Sequence, residues 1–536
     1  MMREAEIIAL AAAAILALFL LGGIGVAVRR GSEFAGHPRG LFMLFFAEMW
    51  ERFSFYGMKA LLIFYLTKHW LFSDGEANVL LATYASLVYI TPVLGGYLAD
   101  RWLGQRKAVQ FGALLLTAGH GLMAVEGKGG QDDPTINVFW LALGFIIVGS
   151  GFLKANISTL VGQLYPRTDV RRDGAYTIFY MGINLGAATG AILAGYLGET
   201  YGWAWGFGAA GLGMLLGLLV FVGFRPLLMG RGEPPDARAL ARPVGGVPLE
   251  WLLYATGLAA VVLMWGLVQA AELVGWLLLA TAVMLLVHVV RSAWPMGREV
   301  RERMASILFL IALQPLFWGL FEQAGGSLNL FTDRYVDRQG VPATLFQSIN
   351  PVYILVLAPL FAGLWTWLGR RGLEPSTPAK FALALMQVGL SFLVLVWGAE
   401  RAGAAALVPV LFIFLLYLFQ TTGELCLSPV GLSAMNRLAP AQMASLIMGA
   451  WFLSTAGGQF VAGLIGRATG GETGEMTHEA ALSVYAQIGW LAVGVGLLVL
   501  LASPFVRRLM HLETLAEGET APAGAGPVAA REGLRA

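Results

Sequence analysis

The sequence predicts an all-α integral membrane protein whose membrane spans are grouped as one, six, two and six. Of its 536 residues, 57% are hydrophobic and only 13% are charged, and the mean hydropathy is +0.70. Apolar runs of about 18 residues or more recur along nearly the whole chain, whereas a β-barrel would alternate polar and apolar residues in segments of about ten. The formal net charge of +2 gives no argument for nucleic-acid binding. The single cysteine, Cys426, excludes an intramolecular disulfide.

The first predicted span, near residues 6–28, stands apart from the others. Its apolar stretch is longer than the core of a signal peptide, which has about 7 to 15 residues. Glu4 and Glu6 accompany the lone Arg3, whereas a signal peptide begins with a positively charged segment. We therefore predict a retained extra helix, with its linker, over residues 1–40.

Six spans form the first predicted bundle, residues 41–226. Charged or Gly/Pro-containing breaks separate them. They lie near residues 41–67, 77–100, 107–125, 137–161, 174–198 and 203–225. Residues 227–249 are rich in Pro, Gly and Arg and predict a polar linker.

A membrane hairpin is predicted after this linker, near 250–269 and 272–291, because a very short turn joins two apolar runs. Linker and hairpin together occupy residues 227–303. The second bundle, residues 304–508, contains six more spans, near 304–331, 344–369, 378–398, 405–432, 441–466 and 481–506. The tail, residues 509–536, is too poor in large apolar side chains to fold and is predicted to be disordered in the cytoplasm.

Lysine and arginine counts predict which ends of the spans face the cytoplasm. When the loop with Arg101, Arg106 and Lys107 is placed inside, 25 basic residues fall inside, 7 outside and 3 within spans, which accounts for all 35. The bias predicts a multi-pass protein of the cell inner membrane with a cytoplasmic C-terminus. Because the number of spans is odd, the N-terminus is predicted to be extracytoplasmic.

Four ionisable residues, Glu48, Glu51, Arg52 and Lys59, lie in the first span of the first bundle. Each would cost about 2.5 to 3.5 kcal/mol if it were buried without a partner in the bilayer. At the spacing of an α-helix these residues and Tyr56 fall on or near one face. A polar stripe therefore runs along an otherwise apolar helix.

Other strongly polar residues deep in the spans are few and come from both bundles. They are Lys154, Asn156, Asn184, Glu322, Gln323, Asn350 and Glu424. Cations of the first bundle can face Glu322 and Glu424 of the second, and such ion pairs would break when the bundles separate. A carboxylate that loses its cationic partner but stays desolvated can take up a proton. This pattern predicts a gated transporter with its site at the midplane between two bundles.

No cofactor, metal site or enzymatic activity is predicted. The six histidines include no pair with metal-ligand spacing. Gly149–Gly151 lacks the preceding strand of a nucleotide-binding loop, while Gly182, Gly186 and Gly190 recur every four residues and predict close helix packing. A membrane-embedded enzyme would need a nucleophile with its base, or a metal cluster, and the sequence indicates neither.

Five segments resemble, in order, the motifs of the proton-dependent oligopeptide transporters, which belong to the major facilitator superfamily. They are EMWERF (48–53), GGYLADRWLGQR (95–106), GSGFLKANIS (149–158), FYMGINLG (179–186) and ELCLSPVG (424–431). The likeness covers roughly residues 41–508. It implies the major facilitator fold, and the extra hairpin between the bundles is similar to that of bacterial members.

The resemblance implies that the protein reads both ends of a short peptide. The peptide carboxylate is expected to meet Arg52, Tyr56 and Lys154, and the amino group is expected to meet Asn184, Asn350 and Glu424. Side-chain pockets are expected to be lined by Tyr89, Trp318 and Trp451, while Ser428 is expected to hydrogen-bond Arg52 or Glu424.

Gating and proton coupling are also implied by the resemblance. Lys59 with Glu322 is expected to form the outer gate and Lys154 with Glu424 the inner gate. Protons are expected to be handled by Glu48, Glu51, Arg52 and Glu322.

Two residues of the polar stripe depart from the family pattern. Phe55 stands where many members have tyrosine, so one hydroxyl is lost. Lys59 stands where many have arginine, and a lysine cannot make a bidentate pair. Tyr84 lies near the position where animal members have a histidine, which argues against a histidine proton relay.

The function that the sequence predicts is proton-coupled import of di- and tripeptides by alternating access, with peptides, protons and the lipid bilayer as its partners and no nucleic acid or obligatory protein partner. A second hypothesis keeps the fold but changes the cargo to nitrate or another small anion. A third is export of drugs by proton antiport. Recognition of both ends of the substrate favours a zwitterion and thus the first hypothesis.

Overall fold

The computed structural model describes residues 2–28, 31, 33–166, 169, 171–403, 406–440 and 443–512. The prediction of a disordered tail therefore lies, from residue 513 onwards, outside the described residues. An additional helix, α1 (Met2–Val28), precedes the first bundle. A short antiparallel pair, β1 (Glu33–Phe34) and β2 (His37–Pro38), connects the two, with Glu33 opposite Pro38.

Six long helices form the first bundle. They are α2 (Arg39–Phe64), α3 (Asp74–Leu98), α4 (Gly104–Met123), α5 (Ile136–Gln163), α6 (Arg172–Tyr201) and α7 (Trp203–Gly223). Single π-helical turns extend α2 over Tyr65–His69 and α3 over Ala99–Leu103. The start of α3 is fixed by a capping box, in which Ser73 and Glu76 hydrogen-bond each other's backbone N–H groups.

The linker between the bundles contains only short elements before the hairpin. They are a 3₁₀ turn (Arg225–Leu228), α8 (Ala237–Ala241), β3 (Pro243–Val244) and β4 (Val247–Pro248), the two strands being antiparallel. The hairpin consists of α9 (Leu249–Leu267) and α10 (Ala271–Ala293).

The second bundle contains six long helices and several short elements. The long helices are α11 (Arg298–Phe321), α13 (Ile349–Arg370), α14 (Thr377–Ala402), α15 (Leu411–Leu438), α16 (Ala444–Ala468) and α17 (His478–Leu509). The short elements are two 3₁₀ segments (Glu322–Gly325 and Ala343–Ser348), α12 (Ser327–Tyr335), and the parallel strands β5 (Val336–Asp337) and β6 (Val408–Pro409).

The span predicted near 304–331 is interrupted, which corrects the sequence-based prediction. Its α-helix ends at Phe321, a 3₁₀ turn follows, and α12 begins only after Gly326. Two successive glycines, Gly325 and Gly326, favour this break because glycine weakens a helix interior. The break places Glu322 at a helix end rather than within a regular helix.

Thirteen stretches of the described residues are long and apolar enough to cross a membrane. One of them, Asp74–Met123, contains both α3 and α4. Helix α2 is absent from this set although 22 of its residues are buried, because its ionisable stripe makes it too polar. The predicted groups of one, six, two and six helices are present.

The backbones of α2 and α6 approach each other closely at a row of glycines. A Cβ atom on Gly186 would lie 2.1 Å from the carbonyl oxygen of Met49, and one on Gly190 would lie 2.2 Å from that of Phe53. Such distances leave no room for any side chain, so only glycine permits this packing. The packing role predicted for these glycines is thus confirmed.

The hairpin contacts both bundles. Helix α9 packs on α5, where a Cβ atom on Gly144 would meet the carbonyl oxygen of Val261 at 2.8 Å. Helix α10 packs on α16, where Gly275 lies against the ring of Phe460. The hairpin therefore lies alongside both halves of the molecule.

Most of the hydrogen bonds and all of the ion pairs that join the two bundles in the described ranges lie at one end, which we call the closed end; one hydrogen bond, from Ser86 Oγ to the Ala456 carbonyl oxygen (2.9 Å), lies near the middle of α3 and α16. Three of its links are Lys59 with Glu322, Lys68 with Asp333, and Asp74 with Arg334. Backbone bonds add to them, for example from Gly75 N to the Gly474 carbonyl (2.9 Å).

Candidate functional site

Helix α2 carries a buried cluster of two carboxylates and one guanidinium. Arg52 Nη2 lies 2.7 Å from Glu48 Oε1, one helical turn away, and Arg52 Nε lies 3.2 Å from Glu51 Oε2. Glu48 and Glu51 are both almost fully buried. Within the described part of the chain, Glu48 Oε2 and both oxygens of Glu51 have no hydrogen-bond partner. Two carboxylates share one cation here, so this cluster can accept a proton.

Lys154, on α5, faces aromatic rings rather than a carboxylate. Its Nζ lies 4.0 Å from the centre of the Phe55 ring and 5.3 Å from that of Tyr89. Among the described residues it has no ion pair with Glu424, so the inner pair predicted by the resemblance is not formed in this conformation. Cation–π contact holds the ammonium group without neutralising it, which leaves it available to an incoming anion.

Glu322 is fully engaged at the closed end. Its Oε2 accepts a hydrogen bond from Lys59 Nζ (2.6 Å) and its Oε1 accepts one from Gln459 Nε2 (2.8 Å). Lys59 belongs to α2 and Gln459 to α16, so the carboxylate at the break after α11 joins three elements from both bundles. The predicted outer pair is therefore present, with Gln459 as an additional partner.

A second carboxylate, Glu424 on α15, is held by an amide. Asn350 Nδ2 donates to Glu424 Oε2 and to Thr421 Oγ1, both at 3.0 Å. The 3₁₀ segment before α13 sets the direction of its first turn and thus of Asn350. No cation pairs with Glu424 among the described residues, so its charge is available to a ligand.

The remaining predicted site residues are placed by their helices as follows. Tyr56 and Tyr89 are half-buried, while Asn184 donates to the Tyr180 carbonyl oxygen at 3.1 Å. Ser428 is half-buried and makes no hydrogen bond to Arg52 or Glu424 in the described residues, unlike the expectation for it.

The two predicted tryptophans are fixed by separate contacts of the second bundle. Trp318 donates its indole N–H to Gln314 Oε1 at 3.2 Å. Trp451 is buried against Phe381, at 6.5 Å between ring centres. Gln314 also accepts a hydrogen bond from Thr455 at 3.1 Å, which links the Trp318 and Trp451 helices.

Asp74 forms a second link across the closed end, outside the Lys59–Glu322 pair. Its two carboxylate oxygens accept hydrogen bonds from Arg334 at 2.5 and 2.8 Å, and Oδ2 accepts one from the backbone N–H of Met476 at 2.7 Å. Burial and the neighbouring Asp74 carboxylate raise the pKa of Glu475 above its usual range. We call Asp74, Arg334 and the Met476 backbone the outer latch.

Sequence reasoning missed three of these residues. Gln459 is a strongly polar residue inside a predicted span, so its position was a usable signal. Asp74 and Arg334 lie at the ends of their helices, where charged residues are common and give no signal by themselves. Only the fold shows that the two ends meet.

The arrangement separates charge between the bundles. The first bundle supplies the cationic groups, Arg52, Lys59 and Lys154. The second bundle supplies the carboxylates, Glu322 and Glu424. Of the five groups just named, only Lys59 and Glu322 form an ion pair between the bundles in the described part of the chain, so Lys154 and Glu424 have no ion-pair partner on the opposite bundle. A ligand with an anionic end and a cationic end would satisfy both. In the part of the chain that the structure describes, no group of three acidic, histidine or cysteine residues is arranged to hold a metal ion.

The sequence is similar, over most of its length, to one protein family and to known transport proteins. The model of the POT family matches residues 106–478. The peptide transporter YePEPT of Yersinia enterocolitica is 35% identical over 508 residues, covering 90% of this chain and 97% of that protein. The dipeptide and tripeptide permease B of Edwardsiella piscicida is 31% identical, covering 90% of this chain and 98% of the permease.

Solved structures show the same architecture. A crystal structure of a peptide transporter, POT, in complex with sulfate is 35% identical, with a TM-score of 0.77, and covers 91% of this chain and 99% of that one. The predicted fold class, two six-helix bundles with additional helices, is thus confirmed.

Proposed function

Because the chain belongs to the POT family of multi-pass membrane transporters, as its motifs predicted, we propose that it imports di- and tripeptides together with protons by alternating access. The observation that carries this proposal is that a cation and a carboxylate without ion-pair partners in the described residues lie on opposite bundles. Among the described residues, Lys154 of the first bundle has no carboxylate partner and Glu424 of the second bundle has no cationic partner. A peptide backbone has an anionic carboxylate and a cationic amino group at opposite ends, so it complements both.

Relatives support the choice of substrate. Two similar proteins are named as a peptide transporter and as a permease of di- and tripeptides. A small inorganic anion could bind to Lys154 and Arg52. It would leave Glu424 without a cationic partner, and the Glu424 carboxylate would repel it. This difference favours a peptide over nitrate.

Alternating access accounts for the two ends of the molecule. The closed end is held by the Lys59–Glu322 pair and the outer latch. At the opposite end, the Lys154–Glu424 pair is open. The count of basic residues puts the closed end outside an inner membrane and the C-terminus in the cytoplasm, so this conformation faces inward. With α1 crossing once more, the N-terminus lies outside.

Proton coupling is assigned to the carboxylates that lose or share cations. In the outward-facing state Glu322 would be separated from Lys59, and a desolvated carboxylate without a cation binds a proton. Closure returns Lys59 to Glu322 and expels that proton. Glu48 and Glu51 compete for Arg52, so a peptide carboxylate that takes Arg52 leaves them able to bind a proton.

Uptake into proteoliposomes tests the proposal directly. A labelled dipeptide should accumulate when the outside is more acidic than the inside. Uptake that is equal with and without the gradient would exclude proton coupling, and gradient-driven nitrate uptake without peptide uptake would support the small-anion alternative. Efflux of a drug against the same gradient would support antiport.

Phe55 is expected to tune peptide affinity although it lacks the hydroxyl group common at this position. Phe55→Leu removes the ring 4.0 Å from Lys154 Nζ. Loss of a buried cation–π contact costs about 1 to 2 kcal/mol. We expect about a tenfold rise in the half-saturating concentration of a dipeptide in the uptake assay.

Phe55→Tyr is the matched control because it keeps an aromatic face below the ammonium group. It should bind the dipeptide within about twofold of the parent chain. If Phe55→Leu and Phe55→Tyr are indistinguishable, the ring does not position Lys154.

The outer latch is expected to stabilise the inward-facing state. Asp74→Asn removes the charge that receives two guanidinium hydrogen bonds and leaves Arg334 without its partner. With spin labels on Asp132 and Glu472, both exposed at the closed end, a longer distance should appear in the variant.

Glu76→Gln provides the control for the latch, since Glu76 is exposed in the same first turn of α3 and serves the capping box. Its distance distribution should match the parent chain. An unchanged distribution in Asp74→Asn would mean that the latch contributes nothing to closure.

A further inference from the structure

A cavity lies outside the proposed peptide site, between the hairpin and the second bundle. It has a volume of about 410 Å³ and is formed by α10 from Gly275 to Val289, α11 from Leu308 to Pro315 and α16 from Ala450 to Val461. The only polar side chain in its wall is Ser454, whose hydroxyl already donates to the Ile311 carbonyl oxygen at 2.7 Å. The wall therefore offers no hydrogen-bonding group to a polar ligand.

The cavity is an open groove rather than a sealed void. Leu279 and Leu286, in its α10 wall, are 54% and 48% exposed. The part of α10 from Gly275 to Val289 is about 21 Å long at 1.5 Å per residue. A bilayer leaflet has a hydrocarbon depth of about 15 Å. The groove is thus long enough, and open enough from the side, for an acyl chain to lie along α10.

One end of the groove carries a positive charge. Arg301 precedes Leu308 by seven residues on α11, or about two turns, so both lie on the same face of that helix. Its guanidinium carbon lies 5.7 Å from the ring centre of Trp294, which is 69% exposed just beyond α10. Exposed tryptophan and arginine side chains at a helix end are typical of the membrane interface.

Arg301 is also available to a ligand. It forms no ion pair among the described residues, whereas the nearby Glu302 is occupied by Arg298 at 2.7 Å and by His511 at 2.6 Å. The surrounding segment is basic. Residues 291–303 and 507–508 contain six arginines and two glutamates. Basic pockets at the ends of membrane helices bind anionic lipid head groups.

We propose that this groove binds an anionic phospholipid, with one acyl chain along α10 and the phosphate on Arg301. The apolar wall selects the chain, and the free arginine at its end selects the head group. The occupant would lie between the hairpin and the second bundle and would fill the space that their side chains leave.

Thermal unfolding of the full purified chain in detergent tests this proposal, with phosphatidylglycerol, phosphatidylcholine or inorganic phosphate titrated in separate arms. We expect phosphatidylglycerol to raise the unfolding temperature saturably, and the other two to do so far less. An equal effect of phosphatidylcholine would overturn the role of charge. An equal effect of inorganic phosphate would reveal a site for free anions and overturn the lipid proposal.

Substitution of Arg301 tests the head-group contact. An arginine near an anionic lipid contributes about 1 kcal/mol, so Arg301→Gln should raise the half-saturating concentration of phosphatidylglycerol about fivefold. Arg301→Lys keeps the charge, so its half-saturating concentration of phosphatidylglycerol should be close to that of the parent chain. Since Arg301 is exposed, neither variant disturbs the packing of the helix core. An unchanged titration in Arg301→Gln would contradict the proposal.

Filling the groove tests the acyl-chain contact. No atom lies within 4 Å of a Cβ built on Gly457, so Gly457→Phe can place its ring in the groove and should abolish the effect of phosphatidylglycerol. The matched control is Gly22→Phe, which has equally open space but lines a separate apolar cleft beside α1. It should respond like the parent chain. Ala282→Phe fills the groove from the hairpin side. If Gly457→Phe does not fold, Ala282→Phe takes its place and should likewise abolish the effect of phosphatidylglycerol. A full response in the folded filling variant would overturn the proposal.

Discussion

Replacing Glu322 with glutamine is expected to abolish peptide uptake driven by a proton gradient, while exchange of peptide across the membrane continues. Both carboxylate oxygens of Glu322 are engaged, one by Lys59 at 2.6 Å and the other by Gln459 at 2.8 Å. Glutamine is similar in size and its carbonyl oxygen can still accept one of these bonds. Glutamine cannot, however, bind and release a proton. Opening of the outer gate therefore no longer leads to uptake of a proton at position 322.

The same substitution also weakens closure. Lys59 would be left as a buried cation without a counter-ion, and breaking a buried pair on one side costs about 3 to 5 kcal/mol. Two measurements separate the effects: uptake of a labelled dipeptide with an inward pH gradient, and exchange of that dipeptide against an unlabelled pool without one. We expect the first to fall to its value without a gradient and the second to persist.

Asp333→Asn is the matched control. Asp333 also receives a lysine of the first bundle, Lys68 at 2.7 Å, at the closed end, but that lysine is 45% exposed. An exposed ion pair contributes little, about 0 to 1 kcal/mol. This variant should therefore retain gradient-driven uptake. Normal driven uptake in Glu322→Gln would remove Glu322 from proton coupling and leave the Glu48, Glu51 and Arg52 cluster as the alternative.

The site residues that were easiest to predict from the sequence are ionisable residues within membrane spans. An ionisable side chain inside a bilayer must face a partner or water. Glu48, Arg52 and Glu322 were predicted from that cost alone, and each has an ion-pair partner in the structure. The grouping of the spans was predictable for a related reason, because only a long apolar helix crosses the hydrocarbon.

Other features depend on long-range geometry and were not predictable. The break after Phe321 depends on a glycine pair that is equally compatible with a continuous membrane helix. The outer latch joins residues 260 positions apart in the sequence, Asp74 and Arg334. The Lys154–Glu424 pair is not formed among the described residues, and on the proposed mechanism it would form only in the other conformational state. A sequence that must support two states does not specify which pairs are formed in either one.

Replacing Glu424 with glutamine is expected to weaken binding of peptides with a free amino group and to leave N-acetylated peptides unaffected. Asn350 holds Glu424 Oε2 at 3.0 Å and would still bond the glutamine carbonyl oxygen, so the geometry of the site is retained. The lost interaction is the one between the carboxylate and the ammonium group. A hydrogen bond to a charged group contributes about 1.5 to 3 kcal/mol, which corresponds to a rise of about 10- to 100-fold in the half-saturating concentration.

Lys154→Gln is the matched control because it removes the opposite charge. Its defect should depend on the peptide carboxylate, so it should be large for the free dipeptide and small for the dipeptide amide. Competition of the free dipeptide, the N-acetylated dipeptide and the dipeptide amide against one labelled dipeptide measures both variants in a single assay. Each variant should thus be insensitive to a different end of the peptide, because the two charges lie on opposite bundles and meet opposite ends. If Glu424→Gln weakened the free and N-acetylated dipeptides equally, Glu424 would act on the structure of the site and not on the amino group.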